Sequence, residues 1–202
     1  MSVGNTVYIR SYAAPDWNRK EILRYAGVRG DAPELDALLR DCLEEIEPRL
    51  VYGVCYREFP VVRYGSYLDL GFVKTESEGL KKNLLGCEEI VLFAATVGLG
   101  IDRLIARYAT VSPTKALLLQ AIGAERIESL CDEFCREIAQ EKAREGYMTR
   151  PRFSAGYGDF PLEAQREIFA VLDCPRKIGL TLNESLLMSP TKSVTAIIGV
   201  GN

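Results

Sequence analysis

Histidine is absent from this 202-residue chain, and no other absence excludes as much. Without imidazole there is no Ser-His-Asp or Cys-His pair, no histidine-ligated metal, and no side chain that titrates near neutrality without tuning. Hydrolysis by a histidine-based triad is excluded. Carboxylates, Lys and Tyr remain as acids or bases, so chemistry here leans on binding or on a cofactor. Also missing are a C-x-x-C pair, a G-x-x-x-x-G-K-[ST] loop and any cluster of Lys and Arg. No apolar run approaches the ~18 residues a membrane helix needs. MSVGNTVYIRSY, at the start, has no basic region followed by an apolar stretch, so it does not read as a signal peptide. A net charge of −3 argues against a nucleic-acid partner. The expectation is a cytoplasmic protein that engages neither membrane nor nucleic acid.

What is present fits an ordinary globular chain, with 48% hydrophobic and 26% charged residues. The six cysteines are Cys42, Cys55, Cys87, Cys131, Cys135 and Cys174. Only Cys131 and Cys135 stand close, at i,i+4 in a helical pattern, and two thiolates would need two more ligands to hold a metal. Free, mostly buried thiols are expected, and no disulfide framework. The length suits one domain over residues 1–202, with a helical N-terminal part of about 50 residues packing on an α+β body.

Along the chain, DWNRKEILRYAG predicts a short helix, with Asn18 and Glu21 at capping-box spacing and Gly27 at the stop. DAPELDALLRDCLEEIEPRL predicts a firmer one, whose apolar face is Leu35, Leu38, Leu39, Cys42, Leu43 and Ile46. VYGVCYREF, PVVRYGSYLDL and EEIVLFAAT then read as strands. Between them, SEGLKKNLLGC reads as a helix stopped by Gly86. SPTKALLLQAIGAERIESLCDEFCREIAQEKAREG predicts a helix of ~30 residues and ~45 Å if continuous, opened by Ser112 and Pro113, with Gly123 as the place where it could bend. PLEAQREIFAVLD predicts a compact helix with Leu162, Gln165, Ile168, Phe169 and Leu172 on one side. IGLTL and VTAIIGV close the chain as strands. Strands and helices mix without βαβ alternation, which predicts α+β with a mixed, largely antiparallel twisted sheet and long flanking helices.

Four stretches invite a functional reading. ATVGLGID leads from a strand through G-x-G into a helix, yet Arg103 occupies the place of the third glycine in a dinucleotide fingerprint. A tight strand-to-helix turn is the plainer reading. Glu125, Glu128, Asp132 and Glu133 recur on one side of the long helix, either as a solvated face or with Glu128 turned toward a ligand's ammonium or hydroxyl groups. Tyr56, Tyr64 and Tyr67 either form an aromatic wall or pack within sheets. RFSAGYGDFP (residues 152–161) is the most suggestive. Arg152 offers a planar fork of donors that suits a carboxylate. Gly156 and Gly158 allow close backbone approach, and Tyr157 between them adds a flat face and a hydroxyl. A plain turn before a helix is the alternative.

R-x-x-x-G-Y (Arg152, Gly156, Tyr157) is followed by Pro161, a helix, IGLTLNES, M-x-P (Met188, Pro190) and then Ser193-Val194. In order and spacing this resembles the activation domain of cobalamin-dependent methionine synthase, including stand-alone activation-domain-like proteins. The specific likeness spans roughly residues 150–195. It implies a domain that binds S-adenosylmethionine and docks over a cobalamin domain. There it supports reductive methylation of cob(II)alamin, with flavodoxin or another reductase as electron source. Cobalamin would be carried by the partner, a methionine synthase or other corrinoid protein. This chain would be an accessory part of a methyltransferase, without a catalytic residue or metal of its own. By the resemblance Arg152 pairs with the ligand carboxylate, Ser154, Ala155 and Gly156 lie on the contacting backbone, Tyr157 is the tyrosine of the G-Y pair, and Glu128 is the long-helix glutamate. Two departures stand out. GDFP replaces the family's alanine-cysteine-proline, and TAIIGVGN stands where aromatic residues and a histidine-proline pair follow in the synthase. An interaction module that docks on a corrinoid protein without S-adenosylmethionine is the other reading.

Overall fold

The computed structural model describes residues 6–202; the first five residues of MSVGNTVYIRSY lie outside that range. Strand β1 (Tyr8–Tyr12) is followed by helices α1 (Arg19–Tyr25) and α2 (Asp36–Ile46). Strands β2 (Tyr52–Pro60), β3 (Val62–Tyr64), β4 (Tyr67–Asp69) and β5 (Lys74–Thr75) come next, then α3 (Glu78–Asn83), β6 (Cys87–Thr96), α4 (Gly100–Tyr108) and α5 (Pro113–Arg144). The last third holds β7 (Met148–Thr149), α6 (Gln165–Leu172), α7 (Cys174–Ile178), β8 (Thr181–Leu182), β9 (Met188–Ser189) and β10 (Ser193–Gly201). The main sheet has the order β1-β2-β6-β10-β7, and every pairing in it is antiparallel. The α+β expectation holds.

Strand alternation splits the core in two. Along β6, Val91, Phe93 and Ala95 face one side, where α1, α2, α4 and α5 contribute Ile22, Leu39, Cys42, Ile46, Ile101, Ile122 and Phe134. Ile90, Leu92 and Ala94 face the other, against Leu80 of α3, Ile168 and Leu172 of α6 and Cys174 of α7. Successive side chains of a strand point to opposite faces, so a strand covered on both sides reads as a continuous apolar run. β6 is such a strand.

Most local signals act as the sequence predicts. Asn18 accepts the Glu21 amide at 3.3 Å, but its own N–H goes to Glu125 rather than completing a reciprocal box with Glu21. Gly86 ends α3 with φ +79°. Three details differ. Ser112 occupies the N-cap position of α5 but makes no side-chain capping bond. α5 runs unbroken for 32 residues through Gly123. A Cβ at Gly123 would lie 3.0 Å from Ile101 Cγ1 and 2.9 Å from Lys192 Cγ. That glycine therefore serves close packing rather than a bend. Leu162 lies in a short 3-10 turn before α6 and is exposed, so the buried stripe starts at Gln165.

The VGLG segment is the strand-to-helix turn of the plainer reading. A Cβ on Gly100 would stand 2.3 Å from the Arg49 carbonyl oxygen, so its glycine answers backbone packing. All six cysteines are free, and five are buried. Burial pushes the Cys42 thiol up to about 11, which makes it inert at neutral pH. Among the described residues no group of His, Cys, Asp or Glu is arranged to hold a metal, and no helix is long and apolar enough to cross a membrane.

Candidate functional site

Arg152 follows β7 on an extended segment that leans on β10: the Arg150 amide donates to Gly199 O at 2.8 Å, and Phe153 and Ile197 exchange both backbone hydrogen bonds. This places the Arg152 guanidinium against α5. Its Nη2 donates to Glu128 Oε2 at 2.5 Å and its Nη1 to Asp132 Oδ1 at 2.6 Å. Burial alone disfavours the charged guanidinium, but the Asp132 hydrogen bond and the charges of Glu128 and Asp132 outweigh it, so the Arg152 pKa moves up. One cation faces two carboxylates, leaving a negative charge in excess.

Residues 154–157 leave the sheet directly after Phe153. Ala155 is buried, and Ser154 is half-buried. Gly156 has φ +85° and Gly158 φ +60°, a left-handed backbone that other residues adopt only under strain. The loop is closed from within by Gly156 N–H to Phe160 O at 2.8 Å and Tyr157 N–H to Ser154 O at 3.2 Å. The Tyr157 ring is 69% exposed and meets Phe153 edge-on, with centroids 5.4 Å apart. A flat face is thus offered to solvent beside the arginine.

Asp159 explains how this loop is held. Its carboxylate accepts from Ser77 Oγ and from the amides of Glu78 and Gly79, at 2.5, 2.7 and 3.1 Å, and so caps the start of α3. The Ser77 hydroxyl bond leads in holding the Asp159 pKa below its usual value, with the two amides adding to it. A depressed carboxyl stabilises the fold above its unfolded pKa and loses that effect as pH falls through the folded pKa. Asp159→Asn is therefore expected to lower the melting temperature at pH 7 and to flatten its acid dependence. A melting curve against pH from 2 to 7 checks this; an unchanged acid limb would remove Asp159 as the clip.

The structure brings Arg152 and Glu128 together, with Ser154, Ala155, Gly156 and Tyr157 on the adjoining loop. Sequence reasoning passed over Asp132 as a site residue, although it sits four residues after Glu128 and so on the same helical face. Asp159 carried no sequence signal, because its partners lie about 80 residues away. The expected row of helix carboxylates splits. Glu125 is only 2% exposed and pairs with Arg126 at 2.6 Å, so it is not part of a solvated face. The three tyrosines form no common wall: Tyr64 stacks on Tyr67 in the β3–β4 hairpin, while Tyr56 packs on Tyr8 and Phe134.

An antiparallel sheet covered on both faces, with an arginine-bearing loop drawn onto a long helix, defines the class of an α+β fold. The family is specific. Residues 69–201 match the family model described as vitamin B12 dependent methionine synthase, activation domain, and the chain belongs to that family. Its fold is similar to a solved structure described as the crystal structure of the MetH reactivation domain bound to AdoHcy, with a TM-score of 0.66 at 18% identity, over 96% of this chain and 78% of that one. No curated protein gives a significant match.

Proposed function

We propose that this chain works as one unit that binds S-adenosylmethionine and serves the reactivation of a corrinoid methyltransferase, most directly a cobalamin-dependent methionine synthase. The observation that supports this best is the Arg152–Glu128–Asp132 cluster. A zwitterionic amino acid has both of the charges the cluster answers. Its carboxylate suits the guanidinium fork, and its ammonium suits the excess carboxylate charge. Glu128 and Asp132 are 41% and 74% exposed, so exchanging one of them for a ligand carboxylate costs little. The segment Ser154-Ala155-Gly156 offers backbone beside that anchor, and Tyr157 an exposed aromatic face for the adenine or ribose.

In this reading the corrinoid on the partner supplies the methyl and electron chemistry. The residues here hold and orient the methyl donor. A flavodoxin-like reductant completes the proposed cycle. The AdoHcy named for the fold neighbour supports a ligand of this type. Isothermal titration of the purified protein with S-adenosylmethionine tests the reading. Saturable one-to-one binding is expected, and AdoHcy should compete. Absence of binding, with co-purification of a corrinoid protein, would leave the docking role alone.

A further inference from the structure

Two guanidinium groups converge on the turn that follows α3. Arg63 of β3 donates from Nη2 to the carbonyls of Leu84 and Cys87, at 2.6 and 2.8 Å. Arg150, just after β7, donates from Nη2 to the Leu85 carbonyl at 3.1 Å. Two glycines make room for Arg150: a Cβ on Gly199 would lie 3.2 Å from its Cγ, and one on Gly86 3.7 Å from its Nη2. Cations suit the carbonyl end of a helix, so the contacts themselves are capping. The charge is not used up there. Among the described residues neither arginine has a carboxylate partner, and both are exposed. Lys82, in the last turn of α3, is a third exposed cation without one, whereas Lys81 is matched by Glu78. Glu88, just past the turn, is the one carboxylate beside them in the chain. Three cations against one carboxylate leave the patch positive.

Exposed apolar surface lies in the same place. Leu85, whose carbonyl Arg150 holds, is 70% exposed, and Met148 is 62% exposed. Met148 and Arg150, two residues apart and so on one face of the sheet, stand opposite Gly201 and Gly199 of β10. We propose that this patch docks an acidic segment of a partner protein, one that sets carboxylates around an apolar side chain. The unmatched charge selects the sign of the partner. Arginine and methionine are types enriched at protein interfaces. Guanidinium groups fixed on carbonyls present their forks at set positions, which suits carboxylates of a folded partner better than mobile lipid headgroups. α3, six residues long with only Leu80 buried, is no membrane-surface helix with an apolar face to insert. The inference does not depend on S-adenosylmethionine binding, since Arg63, Lys82, Leu85, Met148 and Arg150 lie outside the segment that would contact that ligand.

The test follows backbone amide resonances of the full chain during titration with a synthetic Glu-Glu-Leu-Glu-Glu peptide. Saturable shifts at residues 63, 82–87 and 148–150 are expected at low salt, and they should fade as added salt screens exposed charge. A Gln-Gln-Leu-Gln-Gln peptide should bind more weakly. Arg150→Gln and Lys82→Gln should each weaken the acidic peptide about threefold to fivefold, the scale of one exposed ion pair. Leu85→Ser, at a side chain open to water, should weaken it without moving the melting temperature. Equal binding of the two peptides, or wild-type affinity in both Lys82→Gln and Leu85→Ser, would overturn the surface. Binding to phosphatidylglycerol vesicles through the same residues, with no response to the peptide, would assign a membrane instead and overturn the protein partner.

Discussion

Arg152→Ala is expected to weaken S-adenosylmethionine binding by at least about 30-fold, or about 2 kcal/mol, the scale of a charge-assisted hydrogen-bond pair left unmade. The loss has two sources. The ligand carboxylate forfeits its bidentate donor, and Glu128 and Asp132 are left as two like charges without the cation that both now contact. The fold should tolerate the change, because those carboxylates are 41% and 74% open to water and solvent screens them. A melting temperature within a few degrees of wild type, beside a large fall in affinity by titration calorimetry, is the expected pair of results. Arg152→Lys separates charge from geometry. An ammonium keeps the charge but not the planar fork, so its affinity should fall between the other two. Equal binding by wild type and Arg152→Ala would remove Arg152 from the site.

The largest expected stability change lies one turn away, in the buried Glu125–Arg126 pair. Both side chains are 3% exposed and 2.6 Å apart. Arg126 also donates to the carbonyls of Pro15 and Asp16, at 2.5 and 3.0 Å, while Glu125 accepts from Ser129 Oγ and from the Asn18 amide. Between them the two residues fasten the segment between β1 and α1 onto the long helix. Arg126→Ala would leave a carboxylate buried without its cation and two carbonyls without a donor. Breaking such a pair from one side costs about 3–5 kcal/mol. Urea unfolding at pH 7 measures it, with an unchanged m-value showing that the transition remains of the same kind. A loss under about 1 kcal/mol would mean that solvent reaches Glu125 and that the strap is not held in this way. Glu125→Gln, which keeps the shape and most hydrogen bonds, should cost less than Arg126→Ala.

The Glu125 result shows where the sequence stops being sufficient. On the helix wheel Glu125 and Glu128 are equivalent acidic positions one turn apart. Periodicity alone therefore gives them the same environment. Only the chain crossing at Pro15–Asn18 covers one and leaves the other beside Arg152. Asp159 teaches the same lesson, since nothing local marks a loop aspartate as the cap of a helix some 80 residues earlier. Gly123 is a third case. A glycine in a long helix permits either a bend or a close contact, and the neighbours decide.

The elements and the family are legible in the chain's local patterns. Apolar spacing, caps and glycine stops are local and repeat with the period of helix or strand, so they survive without tertiary information. R-x-x-x-G-Y and its spacing to M-x-P carried the likeness to the activation domain, which the match over residues 69–201 bears out. Which side chains meet is settled only by how the elements pack. That packing set Asp132 beside Glu128 on Arg152, buried Glu125 under the N-terminal strap and clipped the loop to α3. The physical reason is the same in each case. Charge pairing and burial depend on distance through space, and antiparallel pairing of residues 149–153 with β10 fixes those distances between segments far apart in sequence.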